Sequence, residues 1–156
     1  MNDMIAVRRA VDRLLAGALG PMLDLLAEDV EFEVAGGGDV PGCRKDSGKQ
    51  PVVDYFTALG GVVAFWQVDY TATGGQVIAW GKESFTVEHC ELEGECEFAM
   101  VFDLSEGMIT RFLVIEDLSS FIRGVHKGRT GVPHLRTLVL RPANTASQKA
   151  MAGLTV

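Results

Sequence analysis

Residues 76–118 read QVIAWGKESFTVEHCELEGECEFAMVFDLSEGMITRFLVIEDL, and over three segments of this stretch the side chains alternate in character with a period of two. Alternate side chains of a β-strand point to opposite faces, so the pattern predicts three strands. Glycine turns at Gly94 and Gly107 would make neighbouring strands antiparallel. The stretch therefore predicts an antiparallel meander.

The last two of these strands are apolar on both faces. One face carries Phe98, Met100, Phe102, Phe112 and Val114, and the other carries Ala99, Val101, Leu113 and Ile115. An antiparallel sheet with one solvated face would be polar on that side. We therefore expect helices to cover one face and a second subunit to cover the other.

Length and composition indicate one globular domain. The chain has 156 residues, of which 47% are apolar, enough to bury about 70% of the unfolded surface. No apolar run approaches the roughly 20 residues of a membrane span, and the first residues, MNDMIAVRRAVDRLL, lack the apolar centre of a secretory signal. We expect a cytoplasmic protein without membrane association.

The cysteines and the charges exclude further classes. Cys43, Cys90 and Cys96 form an odd set without metal-ligand spacing, which favours a reducing compartment, although a bridge between Cys90 and Cys96 stays open. Residues 123–156 contain six Lys or Arg and no acid, whereas residues 1–122 contain eight basic and 21 acidic residues, a balance of −13. Because such an acidic body repels phosphate, we expect no nucleic-acid partner.

These compositions divide the chain into a domain over residues 1–122 and a basic extension over residues 123–156, which we expect to lie on an acidic surface or to be partly disordered. The remaining elements are predicted from periodicity, caps and breakers. The predicted helices run from residue 4 to about 18 and over 22–27, 50–59 and 117–122. The predicted strands cover 29–35 and 65–73, with an additional edge strand over 133–141, and residues 36–48 are predicted to form an irregular loop.

Three segments resemble the nuclear transport factor 2-like superfamily, and within it the SnoaL-like polyketide cyclase and ketosteroid isomerase group. They are LDLLAEDVEFEVAG at 23–36, GKQPVVDYFTAL at 48–59 and FDLSEGMITRFLVIEDLSSF at 102–121. The resemblance implies an α+β fold in which a curved antiparallel sheet wraps around helices and forms a cone-shaped pocket for a small molecule. It also implies a homodimer formed through the outer face of the sheet.

The resemblance does not carry over a known catalytic set. Ketosteroid isomerases use a carboxylate base, a phenol and a protonated acid, and the matching positions here are apolar: Val34, Leu14 and Met100. Limonene-type epoxide hydrolases use an arginine and two aspartates, which match Gly81, Glu83 and Val114. Only one carboxylate of either set is present.

The inward parity of the family predicts an apolar pocket for a flat hydrophobic ligand. Its predicted lining is Phe32, Val34, Phe85, Phe98, Met100, Phe102, Phe112 and Val114, with Phe121 near the mouth. The alternative is that these side chains pack as an ordinary core. The opposite parity assigns Ile78, Trp80, Val101, Leu113 and Ile115 to the dimer interface.

Glu83 and Glu116 share the inward parity, so desolvation would raise their pKa toward the range useful for general acid or base chemistry. Alternatively they lie at the rim, or pair with Arg111, Lys82 or the extension. A tight turn at residues 92–93 would separate them by about 20 Å, whereas a looser hairpin would bring them closer. The tight turn would also align His89, Cys96 and Glu116 in one row that could activate a thiol.

Two functions therefore remain open. The first is an enzyme of the cyclase, isomerase or hydrolase type that acts on a small hydrophobic molecule through pocket carboxylates. The second is a non-catalytic ligand-binding or accessory protein. No zinc, nucleotide or flavin motif is present in the sequence, so neither alternative calls for a cofactor.

Overall fold

The computed structural model describes residues 3–35, 44–59, 63–87 and 92–116. The predicted helix over 117–122, the edge strand over 133–141 and the whole basic extension lie outside the described residues, as do Cys43 and Cys90. The domain boundary near residue 122 therefore stays a prediction.

The described residues form an α+β structure in which helices pack on one side of a curved sheet. The helices are α1 (Asp3–Leu15), α2 (Gly20–Leu25) and α3 (Gln50–Leu59). The strands are β1 (Leu26–Val34), β2 (Arg44–Ser47), β3 (Val63–Thr73), β4 (Gln76–Val87), β5 (Leu92–Ser105) and β6 (Met108–Glu116). They form a sheet of order β2-β1-β6-β5-β4-β3, which confirms the predicted fold class.

Helix α1 forms because apolar residues recur on one face at helical spacing, and that face is buried through Val7, Ala10, Val11 and Leu14. The helix ends at Leu15, and Gly17, two residues beyond, has a φ of 89° in the left-handed region that favours glycine after helix ends. This confirms the predicted amphipathic helix, although it ends three residues before the predicted residue 18.

The meander forms as predicted at its second turn but not at its first. Glu106 and Gly107 have φ angles of 53° and 80° and join β5 to β6 through the pair Ser105 and Met108. The predicted turn at Gly94 is wrong, because Gly94 lies inside β5 opposite Phe85. The connection instead spans residues 88–91, which are not described, and closes on the pair Val87 and Leu92.

Three further predictions are corrected around β1. Leu26 is already extended, so α2 ends at Leu25 and the strand begins three residues before Asp29. Residues 44–47, predicted as loop, form β2 and pair antiparallel with β1. Strand β1 also lies parallel to β6, which makes the sheet mixed rather than wholly antiparallel.

The core lies between the helices and the inner face of the sheet, as the alternation predicts. Phe98, Met100 and Val114 are buried there, whereas Ile115 on the opposite parity is 43% exposed. Rings from β1, β5, β6 and α3 pack together at the centre, with centroids 5.4 Å apart for Phe32 and Phe112 and 4.6 Å apart for Phe102 and Phe112. This aromatic cluster fixes the sheet against α3.

Candidate functional site

Two carboxyl side chains lie on the inner face, at the end of the sheet where β4 leads toward residues 88–91. Glu83 on β4 pairs with Cys96 on β5, and Glu116 on β6 pairs with Phe98, two residues further along β5. Strand spacing and rise place their Cα atoms about 12 Å apart. This is the closer arrangement of the two that the sequence left open, and the tight turn at residues 92–93 is wrong.

Glu83 is buried on all sides, with 4% of its surface exposed. The Cys96 thiol donates a hydrogen bond to Oε1 at 2.9 Å. The other oxygen, Oε2, is buried and accepts no hydrogen bond from any residue that the structure describes. Burial raises the pKa of Glu83 from 4.5 to about 7, the negative charge of Glu116 adds to the rise, and the Cys96 hydrogen bond opposes it.

Glu116 is held by a side chain from a different layer of the fold. The Tyr55 hydroxyl on α3 donates a hydrogen bond to Glu116 Oε1 at 2.6 Å. Burial raises the pKa of Glu116, while the Tyr55 hydrogen bond opposes the rise. The Tyr55 ring is itself fixed by the rings of Phe32 and Phe56, at centroid distances of 5.6 Å and 5.0 Å.

Tyr55 is the residue of this site that the sequence did not single out. A signal was present, because Tyr55 lies between Val52 and Phe56 on the apolar face of α3 and so had to point inward. A phenol on a buried helical face usually has a hydrogen-bond partner. The identity of that partner depends on a contact across 61 residues, which local patterning does not encode.

The other predicted site residues are either buried on the inner face or not described. Phe98, Met100 and Val114 are buried near the two carboxyls, Val34 is buried at the end of β1, and Phe32, Phe102 and Phe112 form the central ring cluster. Phe85 lies in β4 with its side chain undescribed, and His89 and Phe121 lie outside the described residues.

The predicted row of His89, Cys96 and Glu116 does not form. Cys96 pairs across the sheet with Glu83, and Glu116 pairs with Phe98, so Cys96 and Glu116 belong to different rows. The proposed pairing of a carboxyl with Arg111 is also absent: Arg111 contacts Glu33 and Asp103, each at 3.4 Å, on the outer face.

The outer face of the sheet has an apolar patch beside this ion cluster. Trp80 is 50% exposed and Ile115 is 43% exposed in the single chain, and Ile78, Val101 and Leu113 are half-buried. These are the five residues assigned from the sequence to a dimer interface.

Within residues 3–35, 44–59, 63–87 and 92–116, no group of three or more His, Cys, Asp or Glu side chains is arranged to hold a metal ion. In the same part of the chain, no helix has the length and apolar character needed to cross a membrane.

Solved structures share this architecture at low sequence identity. A nuclear transport factor 2-like protein of unknown function from Burkholderia pseudomallei has a TM-score of 0.67 at 20% identity, over 79% of this chain and 96% of that one. A protein from Jannaschia sp., named as a candidate SnoaL-like polyketide cyclase, has a TM-score of 0.66 at 11% identity, over 78% and 90%. A candidate polyketide cyclase from Silicibacter sp. has a TM-score of 0.63 at 20% identity, over 78% and 93%.

No protein-family model and no curated protein sequence matches the chain. The structural likeness establishes the nuclear transport factor 2-like fold, as the sequence resemblance predicted. Because this architecture carries many unrelated functions, the function has to be argued from the inner face of the sheet.

Proposed function

We propose that the protein binds a small hydrophobic molecule against the inner face of its cone and transfers a proton to or from it, in a reaction of the isomerase, cyclase or hydrolase type. The observation that carries this proposal is Glu83, a buried carboxyl in apolar surroundings with one oxygen unused by the described residues. Burying such a group lowers the stability of the fold, so its presence here favours a functional role.

Acid–base chemistry is what this carboxyl suits best. With a pKa of about 7, Glu83 holds its proton in about half of the molecules at neutral pH and can exchange it in either direction. Glu116 has a hydrogen-bond donor in Tyr55 that stabilises its charged form. We therefore assign Glu83 as the proton donor and Glu116 as the base, in the manner of two carboxyls whose surroundings differ.

The proposed chemistry differs from that of the enzymes the sequence resembles. Leu14, Val34 and Met100, which match the isomerase machinery, are buried apolar side chains. Glycine and valine stand at two of the three epoxide hydrolase positions, Gly81 and Val114. Any proton transfer in this cone therefore depends on carboxyls of its own.

A non-catalytic ligand-binding or accessory role is the second candidate. Its support is the central ring cluster, because Phe32, Phe102 and Phe112 are fully buried and pack on one another as core residues do. A pocket would then be confined to the end of the cone near Glu83 and Glu116, and the carboxyls would serve binding alone.

The experiment that separates these functions starts from ligands. Thermal-shift screening against steroids, polyketides and terpenes identifies a bound compound, and turnover of each hit is then assayed with Glu83→Gln, Glu116→Gln and the double variant. Glu97→Gln is the matched control, because Glu97 is exposed on the opposite face of β5. We expect turnover to fall at least a hundredfold in the site variants and to be unchanged in the control.

Each other outcome has a defined meaning. Binding without turnover favours the non-catalytic role. Turnover that is unchanged in the double variant removes both carboxyls from the mechanism, and an absence of any hit counts against a hydrophobic ligand.

We further propose that the protein acts as a homodimer whose second copy covers the apolar patch of the outer face. The support is the exposure of Trp80 and Ile115 beside the half-buried side chains of Ile78, Val101 and Leu113. A cytoplasmic location is proposed from the sparse and odd set of cysteines.

A further inference from the structure

The two oxygens of Glu83 have unlike surroundings. Oε1 accepts the hydrogen bond from Cys96, whereas Oε2 is buried and has no partner among the described residues. Cys96 is 6% exposed and directly opposite Glu83 in the ladder between β4 and β5. The thiol is therefore held in place by the sheet itself, and it fixes the carboxyl in one orientation.

We propose that Cys96 is the positioning residue of Glu83, holding Oε1 so that the proton is carried on Oε2 and offered to a neutral acceptor oxygen, such as a ketone or ether oxygen, of an apolar ligand. This inference rests on the proposed function and names its ligand class.

The geometry assigns Cys96 the role of a donor rather than a nucleophile. A thiolate is favoured by nearby positive charge and disfavoured by burial and by a neighbouring carboxylate. Cys96 is buried and its sulfur lies 2.9 Å from a carboxyl oxygen. The protonated thiol is thus the form that this site stabilises, and it uses its hydrogen for Glu83.

The charges around the site favour a ligand whose acceptor oxygen is neutral. Glu83 faces the Cys96 thiol from β5 and the negative charge of Glu116 from β6. Glu116 in turn accepts a hydrogen bond from Tyr55 of α3. Among the residues described, no Lys or Arg forms an ion pair with either carboxyl. A ligand carboxylate would therefore add a negative charge that no cation of the described residues balances.

The role of Cys96 is tested without any ligand. The chain is labelled with ¹³C at glutamate side chains, the resonances of Glu83 and Glu116 are assigned with Glu83→Gln and Glu116→Gln, and Glu83 is titrated by NMR. A hydrogen bond to the charged carboxylate stabilises it, so Cys96→Ala should raise the proton affinity of Glu83 about tenfold. Cys96→Ser keeps a donor and should give a smaller rise.

Val77→Ala is the matched control, because Val77 is buried on the same face of β4 as Glu83 but lies six residues away, where it pairs with Phe102. It should leave the Glu83 titration unchanged. A Glu83 titration in Cys96→Ala that equals that of the unmodified chain would overturn the positioning role. A loss of turnover in Glu83→Gln alongside that result would leave the proposed function standing.

The ligand class is tested with two probes of the same frame, 2-acetonaphthone and 2-naphthoate. We expect the ketone to bind at least tenfold more tightly than the carboxylate, and its affinity to fall as Glu83 loses its proton. In Cys96→Ala that fall should move to higher pH. Equal affinities, a preference for the carboxylate, or no binding of the ketone would overturn the ligand class.

Discussion

Glu83 makes the stability of the chain depend on pH in a direction opposite to that of most carboxyls. Its pKa is raised from 4.5 to about 7 in the fold, so between these values the folded state binds more protons than the unfolded state. The free energy of unfolding should therefore fall as pH rises through this range, by about 3 kcal/mol at most. Glu83→Gln should remove this fall and be more stable than the unmodified chain above pH 7.

Urea unfolding at about pH 5 and about pH 8 measures this difference. Glu97→Gln is again the control, since Glu97 is exposed and should keep the pH dependence of the unmodified chain. The prediction fails if Glu83→Gln and Glu97→Gln lose the same stability between the two pH values.

Gly81 is required by the close approach of two strands. A Cβ atom at this position would overlap the backbone carbonyl oxygen of Gln67 on β3 and lie 2.8 Å from its carbonyl carbon. Because backbone atoms cannot turn away as a side chain can, Gly81→Ala should destabilise the fold by about 3 kcal/mol or more. Denaturant unfolding measures the loss, and Gly20→Ala is the control.

Gly20 has open space around the position of a Cβ atom, so alanine there should change stability by less than about 1 kcal/mol. Equal effects of the two alanine substitutions would contradict the proposed strand contact.

In the turn between β5 and β6, Glu106 has a left-handed backbone conformation that glutamate rarely adopts. Glu106 has a φ of 53° and precedes Gly107 at 80°, the backbone of a two-residue hairpin turn that favours Asn-Gly. Glu106→Asn should therefore stabilise the protein by about 0.5–1 kcal/mol, measured by thermal unfolding. Glu106→Ala removes the same charge without favouring this backbone and should give no gain.

The faces of the strands could be predicted from the sequence because side-chain direction in a strand follows from position alone. A shift of one residue would have exchanged the buried Met100 with the half-buried Val101. The position of the turn between β4 and β5 could not be predicted in the same way, because glycine is typical of turns and Gly94 nevertheless lies in β5 opposite Phe85. A tight turn at residues 92–93 would pair Cys96 with His89, whereas the structure pairs Cys96 with Glu83.

Contacts between distant segments explain the other differences. Residues 44–47 read RKDS and carry no alternation, so only the backbone of β1 makes them a strand. Leu26 continues a helical pattern by its side chain, yet it is extended where β1 meets β6. Parity predicts the inward direction of Glu83 and Glu116, whereas the hydrogen bond between Tyr55 and Glu116 joins residues 61 positions apart and has no local signal.

The fold is shared with other proteins, whereas the function depends on particular side chains. Chains with 11–20% identity share this architecture, so the architecture does not depend on most of the individual residues of this chain. On the inner face of this chain, Glu83 and Glu116 lie among apolar neighbours, and each accepts a hydrogen bond from a polar partner, Cys96 and Tyr55 respectively. Function is therefore to be sought in these four side chains.

The outer face of the sheet leads to a prediction about assembly. In a symmetric dimer each substitution alters the interface twice, and a buried tryptophan commonly contributes about 2 kcal/mol or more per copy. Trp80 is 50% exposed in the single chain. The substitution Trp80→Glu should therefore weaken dimerisation about a thousandfold. Light scattering after size exclusion should show a dimer for the unmodified chain and a monomer for Trp80→Glu. Ile5→Glu is the control and should stay dimeric, because Ile5 is 59% exposed on α1, away from the sheet. An unmodified chain that is monomeric at micromolar concentration would remove the second subunit, and with it the explanation for the apolar outer face.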